Sequence, residues 1–384
     1  MSENNEIKEP LNKNNKVPKL RFSEFNNEWN NLRLGDILKI QNGKDQKEIE
    51  ISSGVYKIYG TGGVIGYTNN FLYNKESVGI GRKGTINRPF YFNEPFWTVD
   101  TLFWCKIKEN HFPKFIYYLF FTIDWNKLNQ STGVPSLTSH VIEHQKIVIP
   151  KLDEQKKIAM FFTIIDKKID VINSKLSILK KYKEGIKKYV MKDTIKFWKT
   201  GIGNAIELKK YLIEKNEYCV KNGLYPHITL STEGITDKSE RYDRDFLVKN
   251  EDKKYKITHL NQLCYNPANL KFGVICINKY GNGIFSPIYS TFDINNITID
   301  YLELIITSND FINYSMKYQQ GTVFERMSVS SDDLCKIKII TTSFDEQQKI
   351  AKVADTLNKK ISKLEDELLS LKHLKSTLLN DMFI

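Results

Sequence analysis

Four short stretches of the sequence carry residue types that could do chemistry, and each fails on its context. Gly79-Ile80-Gly81-Arg82-Lys83-Gly84 has the glycine spacing of a dinucleotide-binding loop. Thr85-Ile86-Asn87-Arg88-Pro89 follows where the phosphate-binding helix should open, and Thr85 stands where a phosphate loop needs Lys. A basic, glycine-rich turn of this kind suits contact with a phosphodiester backbone better. His140-Val141-Ile142-Glu143-His144 spells an inverted zincin motif, in which two imidazoles hold zinc and the Glu activates water. The flanking residues leave room for one helical turn before a strand at Ile147, so surface histidines are the better account. Asp153-Glu154-Gln155-Lys156 has the carboxylates and lysine of a nuclease cluster, but it falls at a helix start, where acids favour the positive helix end. Asn266-Pro267-Ala268-Asn269 is the nearest approach to a base-clamping methyltransferase loop, and it lacks the second Pro and the aromatic residue. The five cysteines are far apart, with no Cys-x-x-Cys pair, which argues against a zinc finger and a disulfide framework. The chain therefore reads as having no catalytic centre and no metal of its own.

Composition points to a partner. The 384 residues carry 57 Lys and Arg against 45 Asp and Glu, a net charge of +12, which favours a polyanion: nucleic acid first, a membrane surface second. No run of about 18 apolar residues occurs, and Met1 to Lys16 is polar rather than signal-like, so a cytoplasmic location and no membrane are expected.

The elements that would position a binding surface come in two copies. Asp153-Glu154-Gln155-Lys156-Lys157-Ile158-Ala159 recurs 192 residues later as Asp345-Glu346-Gln347-Gln348-Lys349-Ile350-Ala351. Beyond it, Ile165, Ile169, Ile172, Leu176, Leu179, Ile186 and Val190 match Leu357, Ile361, Leu364, Leu368, Leu371, Leu378 and Met382. Alternating spacings of four and three are the seam of a coiled coil, and Lys183 and Lys375 occupy the same polar seam position in the two copies. Such a residue costs stability but can fix register. From Asp153 to Met191 a helix would run roughly 58 Å at about 1.5 Å per residue. Thirteen Lys against six acidic residues between 151 and 198 hold most of the excess charge, though a solvated helix face explains part of that.

The remaining segments are rich in Gly, Tyr, Phe and short β-branched runs such as Lys146-Ile147-Val148-Ile149 and Ile337-Lys338-Ile339-Ile340, which suggest mixed sheet. The expected fold class is α+β: two globular mixed α/β domains separated by two long α-helices that form an antiparallel coiled coil, in a pseudo-twofold tandem repeat. The boundaries read as a mobile tail at 1–16, a first globular domain at 17–150, a first helical spacer at 151–198, a second globular domain at 199–343 and a second spacer at 344–384.

These residues resemble the specificity subunits of type I restriction-modification systems. The repeated turn and Asp-Glu-Gln-x-Lys-Ile-Ala helix looks like that family's two spacer regions, and Trp29 with Leu34-Gly35-Asp36-Ile37 resembles its usual entry. Tyr59-Gly60-Thr61-Gly62-Gly63-Val64-Ile65-Gly66-Tyr67, Gly81-Arg82-Lys83-Gly84-Thr85-Ile86 and Gly133-Val134-Pro135-Ser136-Leu137 are similar to core motifs of its target recognition domains. In the second domain Leu230-Ser231-Thr232-Glu233-Gly234-Ile235, Tyr265-Asn266-Pro267, Gly283-Ile284-Phe285-Ser286-Pro287-Ile288-Tyr289 and Gly321-Thr322 play that part. The resemblance implies a non-catalytic reader of double-stranded DNA with a bipartite target. It also implies two methyltransferase (modification) subunits docked on the helices, with restriction/translocase subunits joining them. S-adenosylmethionine, ATP and magnesium would then belong to the partner subunits and not to this chain.

Base reading needs matched donors and acceptors, and phosphate contacts supply affinity. On that ground the candidate DNA-binding residues are Arg82, Lys83, Arg88, Ser136, Thr138 and Ser139 in the first domain. In the second they are Thr229, Ser231, Arg241, Arg244, Lys271, Thr322 and Arg326. The partner-facing or coiled-coil residues are Ile165, Ile169, Ile172, Leu176, Leu179, Lys183 and Ile186 with Leu357, Ile361, Leu364, Leu368, Leu371, Lys375 and Leu378. The aromatic run from Phe90 to Trp104 is assigned to a core rather than to base stacking. Two rival readings are a coiled-coil assembly adaptor without DNA specificity and a self-sufficient DNA nuclease or methyltransferase.

Overall fold

The computed structural model describes residues 17–220, 223–238, 254–321 and 327–384. The expected tail at 1–16 lies outside the described residues. The chain forms two compact units, one of residues 1–173 with 366–384 and one of residues 174–365.

The first unit opens with β1 (Asn30–Arg33), α1 (Leu34–Ile37) and β2 (Leu38–Gln41) and continues through β3 (Tyr56–Gly60), β4 (Gly63–Thr68) and β5 (Ser77–Gly81). β6 (Phe90–Phe92), β7 (Phe96–Thr98) and β8 (Leu102–Ile107) follow, then α2 (Pro113–Phe120), α3 (Ser139–His144), β9 (Lys146–Ile149) and the long helix α4 (Leu152–Thr200). A four-stranded antiparallel sheet runs β2-β8-β5-β6, a three-stranded sheet runs β4-β3-β7 and a ribbon pairs β1 with β9. All five residues of β5 are buried, so this strand is covered on both faces, and its alternation is of large and small residues with no solvent-facing charged face. α2 lies against β5 with Phe115, Ile116, Tyr118, Leu119 and Phe120 buried, and proline at its first position suits the helix start.

The second unit repeats the four-stranded sheet and the ribbon of this plan and departs from it in the smaller sheet. Its elements are β10 (Ile206–Glu207), β11 (Leu212–Lys215), β12 (Tyr218–Val220), β13 (Ile228–Ser231), β14 (Gly234–Asp237), β15 (Lys254–Thr258) and β16 (Leu263–Tyr265). They continue as β17 (Ile275–Ile277), β18 (Gly283–Phe285), β19 (Ser290–Ile294), α5 (Ile299–Ile306), α6 (Asn309–Ser315), α7 (Ser331–Cys335), β20 (Lys338–Ile339) and the long helix α8 (Phe344–Met382). The four-stranded sheet runs β11-β19-β16-β17, which is the first unit's order with each strand replaced by its counterpart. A three-stranded antiparallel sheet β12-β15-β18 and a separate β13–β14 hairpin stand in place of β4-β3-β7. β10 pairs with β20 as β1 pairs with β9, each ribbon bringing the chain's entry beside the strand that precedes a long helix.

Residues of α4 up to Asn173 and of α8 from Asp366 belong to the first unit, and the rest of both helices belongs to the second. The sequence boundaries, drawn where composition changes, set the helices apart as spacers; the structure instead divides each helix between two cores. Inside each unit the two helix segments run antiparallel. In the first, Asp166 meets Lys375 and Lys168 meets Glu367 at 3.0 Å. In the second, Lys180 meets Glu365 at 2.7 Å and the Tyr189 hydroxyl reaches Glu346 at 3.4 Å. As one number rises the other falls. The named seam residues are all buried or half-buried, and their neighbours Ile164, Val171 and Ile178 are exposed.

The repeated heptapeptide has a packing reason. Gln155 and Gln347 are buried, at 1% and 4% exposure, although glutamine is ordinarily a surface residue. The Gln155 side chain accepts from the Phe112 N–H at 3.0 Å and donates to the Pro150 carbonyl at 2.9 Å. Gln347 accepts from the Thr298 N–H at 3.0 Å and donates to the Thr342 carbonyl at 2.9 Å. Each Gln thus ties the start of its long helix to the start of α2 or α5. Glu154 is likewise structural, receiving Arg21 in a bidentate pair at 2.7 Å and the Trp29 indole at 3.2 Å.

Candidate nucleic-acid interface

In the first unit backbone hydrogen bonds gather three separate loops. The Arg82 N–H donates to the Thr101 carbonyl at 2.8 Å, the Gly84 N–H to Pro135 at 2.8 Å and the Leu137 N–H to the Arg82 carbonyl at 2.9 Å. Lys83 and Ser136 form an antiparallel bridge. The Arg88 guanidinium donates to the Gly62 carbonyl at 3.3 Å, which draws in the turn between β3 and β4. Arg82, Lys83 and Arg88 are exposed, Ser136 is half-buried, and Thr138 and Ser139 are exposed at the start of α3. The Thr138 hydroxyl accepts from the Val141 N–H at 3.4 Å as a helix cap. Arg82, Lys83 and Ser136 sit on the joined loops, Thr138 and Ser139 follow at the start of α3, and Arg88 is tied to the β3–β4 turn instead.

The glycines here are set by space and by backbone angle. A Cβ on Gly81 would stand 2.1 Å from the Thr85 carbonyl oxygen, and Gly84 has φ +95°, where side chains are strained. Gly79 is covered by the Phe92 ring. No helix follows this loop, since the next element is β6, so the dinucleotide geometry is absent. The arginines lie over aromatic rings, Arg82 5.9 Å from Phe103 and Arg88 5.6 Å from Phe90, and the Arg82 guanidinium also donates to the Asp100 carbonyl at 3.3 Å, contacts that limit their sweep. The aromatic run itself is core: Phe92, Phe96 and Trp104 are buried with Leu102, and Phe92 stacks on Phe96 at 4.0 Å.

Asn129 was not among the sequence candidates, yet it shapes this surface. Its side-chain oxygen accepts from Ser131 at 3.1 Å and from Ser136 at 2.9 Å, and its amide donates to the Ser131 carbonyl at 2.9 Å. The signal was present in Asn129-Gln130-Ser131-Thr132-Gly133, a run of turn formers. Glu143, from the zincin-like stretch, accepts the Ile40 N–H at 2.9 Å, and the His140 and His144 rings lie 3.9 Å apart on one exposed helix face.

In the second unit Thr229 and Ser231 share the β13–β14 hairpin. Thr229 faces Thr236 across it, and the Ser231 hydroxyl accepts from the Glu233 N–H at 3.2 Å and donates to the Gly234 carbonyl at 3.3 Å. Lys271 lies in a helical turn at 270–272 with its ammonium 5.0 Å from the Phe272 ring. That turn and the hairpin tip meet at one cavity, lined by Thr232, Gly234, Phe272 and Gly273 among others. Arg241, Arg244, Thr322 and Arg326 lie outside the described residues. Tyr265-Asn266-Pro267 does the work of the first unit's loop junction: the Tyr265 hydroxyl donates to Val329 at 2.9 Å, and the Val329 N–H donates to the Pro267 carbonyl at 3.1 Å.

The inner cysteines are inert by burial, which pushes the Cys264 thiol up to about 12. Among the described residues no group of three His, Cys, Asp or Glu side chains is placed to hold a metal ion, and no helix is long and apolar enough to cross a membrane.

Residues 26–181 match the family profile described as the type I restriction modification DNA specificity domain. That stretch is similar to a type I restriction-modification DNA specificity domain. The specificity subunit of the type I restriction enzyme MjaVIII from Methanocaldococcus jannaschii is 24% identical over 233 residues, 52% of this chain and 51% of that protein. The chain thus spans about half the length of this curated relative. The crystal structure of the S subunit of a type I restriction-modification system from M. genitalium aligns over 96% of this chain and 99% of that one. Its TM-score is 0.69 at 17% identity, so the chain is similar in fold to that S subunit. Arg82, Lys83 and Ser136 lie inside the matched specificity domain.

Proposed function

We propose that this chain is the DNA-reading, non-catalytic subunit of a type I restriction-modification complex. Each unit reads one half of a bipartite duplex target, and the helices set the gap between the halves and dock the methyltransferase subunits. Restriction/translocase subunits join that core, and S-adenosylmethionine, ATP and magnesium are held by the partners. The observation that carries the reading is the joining of Arg82, Lys83 and Ser136 on one exposed loop junction inside a DNA specificity domain. Guanidinium and hydroxyl groups there can meet phosphates and base edges, and the ring contacts of the arginines hold them ready.

Replacing Arg82 by Ala weakens binding to the cognate duplex by about 1–3 kcal/mol if it pairs with guanine, and relaxes preference in one half-site only. Methylome sequencing of cells with and without the chain gives the target, and fluorescence anisotropy on that duplex measures the loss. Unchanged affinity and preference in the variant removes Arg82 from the interface. Retention of the full chain on duplex DNA without any sequence dependence sinks the reading as a whole.

A further inference from the structure

The two halves of the chain supply a control for each other at the polar seam position. In the first unit the Lys375 ammonium pairs with Asp166, whose other oxygen accepts the Tyr118 hydroxyl at 2.7 Å, and Lys375 also lies 5.3 Å from the Tyr118 ring. Shifting both members of that pair by the repeat length of 192 gives Lys183 and Asn358. The second unit thus keeps the lysine and replaces its carboxylate by a neutral amide.

Nothing among the described residues takes the carboxylate's place. Lys183 and Asn358 both line a cavity of about 670 Å³. Of the three carboxylates that line it, Asp300 and Glu303 are engaged by Lys279 at 3.2 and 2.6 Å, and Glu233 is on the exposed hairpin turn. Lys187 donates to the Thr307 carbonyl at 3.0 Å and pairs with Glu184 at 3.2 Å. Lys183 is half-buried, and burial first, then the neighbouring charges of Lys187 and Lys279, lower its pKa against the pull of Glu303 and Glu184, neither of which hydrogen-bonds it. A desolvated ammonium calls for an acceptor. Thr232, Ile277, Leu304 and Ile312 are also in the lining, a mixture of polar and apolar residues that suits an organic body behind a charged head.

We infer that this cavity binds a small organic carboxylate, whose head group stands against Lys183 where the Asp166 side chain stands against Lys375 in the first unit. The cavity also borders the β13–β14 hairpin tip and the 270–272 turn, but the inference rests on its helix-facing wall at Lys183 and Asn358 and not on the DNA-reading role.

The test is thermal unfolding of the full chain with sodium succinate or acetate, ionic strength being held constant with sodium chloride. Wild type gains a saturable rise in Tm of about 3–6 °C at roughly tenfold excess over Kd. N358D restores the internal pair, raises Tm in the absence of ligand and abolishes the response; K183M abolishes it without the internal pair. Equal shifts in all three proteins, or no shift in wild type with either carboxylate, overturn the inference. A phosphate arm separates chemistries: phosphate acting as strongly as succinate, and equally lost in N358D, overturns the assignment to carboxylates.

Discussion

At the level of single residues, glutamine does what a motif search would assign to the acids beside it. Gln155, itself buried, makes two hydrogen bonds to backbone groups, and Gln347 makes the corresponding two in the other unit. Truncation to Ala strands a donor and an acceptor, each worth about 1–3 kcal/mol when left unpaired. Q155A is accordingly expected to lose on the order of 2–4 kcal/mol in urea unfolding, with the loss confined to the first unit's transition; a loss below about 0.5 kcal/mol would show that solvent reaches these groups. His259 offers a second residue-scale test. Its imidazole faces the Asn282 side-chain oxygen at 3.0 Å and Glu217 at 3.2 Å, and these hydrogen bonds, the Asn282 contact first, raise its pKa above the ordinary 6.5. Raised in the folded state, it contributes stability fully below the unfolded value and loses that contribution as pH rises through the folded value. The stability gap between wild type and H259Q should be widest near about pH 5.5 and narrow toward about pH 8.5, so a gap independent of pH would mean the imidazole stays neutral.

For whole elements, what was legible in the sequence followed the periodicity of the side chains. The long helices declared themselves because one stripe of Ile and Leu repeats over many turns and appears twice. The sheets did not: β5 is buried on both faces, so Ser77-Val78-Gly79-Ile80-Gly81 alternates large with small residues and its glycines mimic a ligand loop, and the order β2-β8-β5-β6 is set by crossovers that leave no local mark. The loop junction was half legible. Its glycines and basic residues stood out, but the pairing of residues 82–84 with 135–137, some 50 positions apart, exists only once the sheet is formed. The helix pair yields its own prediction at the Asp166–Lys375 contact, whose side chains are 26% and 18% exposed. D166N keeps the shape but removes the charge and one of the two acceptor oxygens, so the ammonium and the Tyr118 hydroxyl cannot both be satisfied, at a cost of about 1–3 kcal/mol in unfolding free energy. Charge-neutral replacement of both, D166N with K375M, should recover part of it; strict additivity in the double-mutant cycle would show that the two groups do not interact.

For the molecule as a whole, the unit boundaries make a claim that the chain order conceals. The first unit's core includes Leu379, Met382 and Phe383 from the far end of the chain, and the Phe383 ring lies 5.2 Å from Phe115 and 6.0 Å from Phe162. The Leu20 N–H donates to the Asp381 carbonyl at 2.9 Å, so the entry segment is fastened to the same stretch. Burying three large apolar side chains supplies roughly 5–9 kcal/mol at about 1.5–3 kcal/mol each, an upper estimate because the unfolded chain buries some of that surface already. This is comparable with the roughly 5–15 kcal/mol that holds an ordinary domain together. A fragment cut at residue 198, where composition alone would end the first half, should therefore be marginal or insoluble. The 366–384 segment, added as a peptide or joined by a flexible linker to residues 17–173, should restore cooperative unfolding. Should the 1–198 fragment unfold at the same urea concentration as the first transition of the full chain, the terminal helix contributes nothing to that core and the division of the chain into interleaved units is wrong.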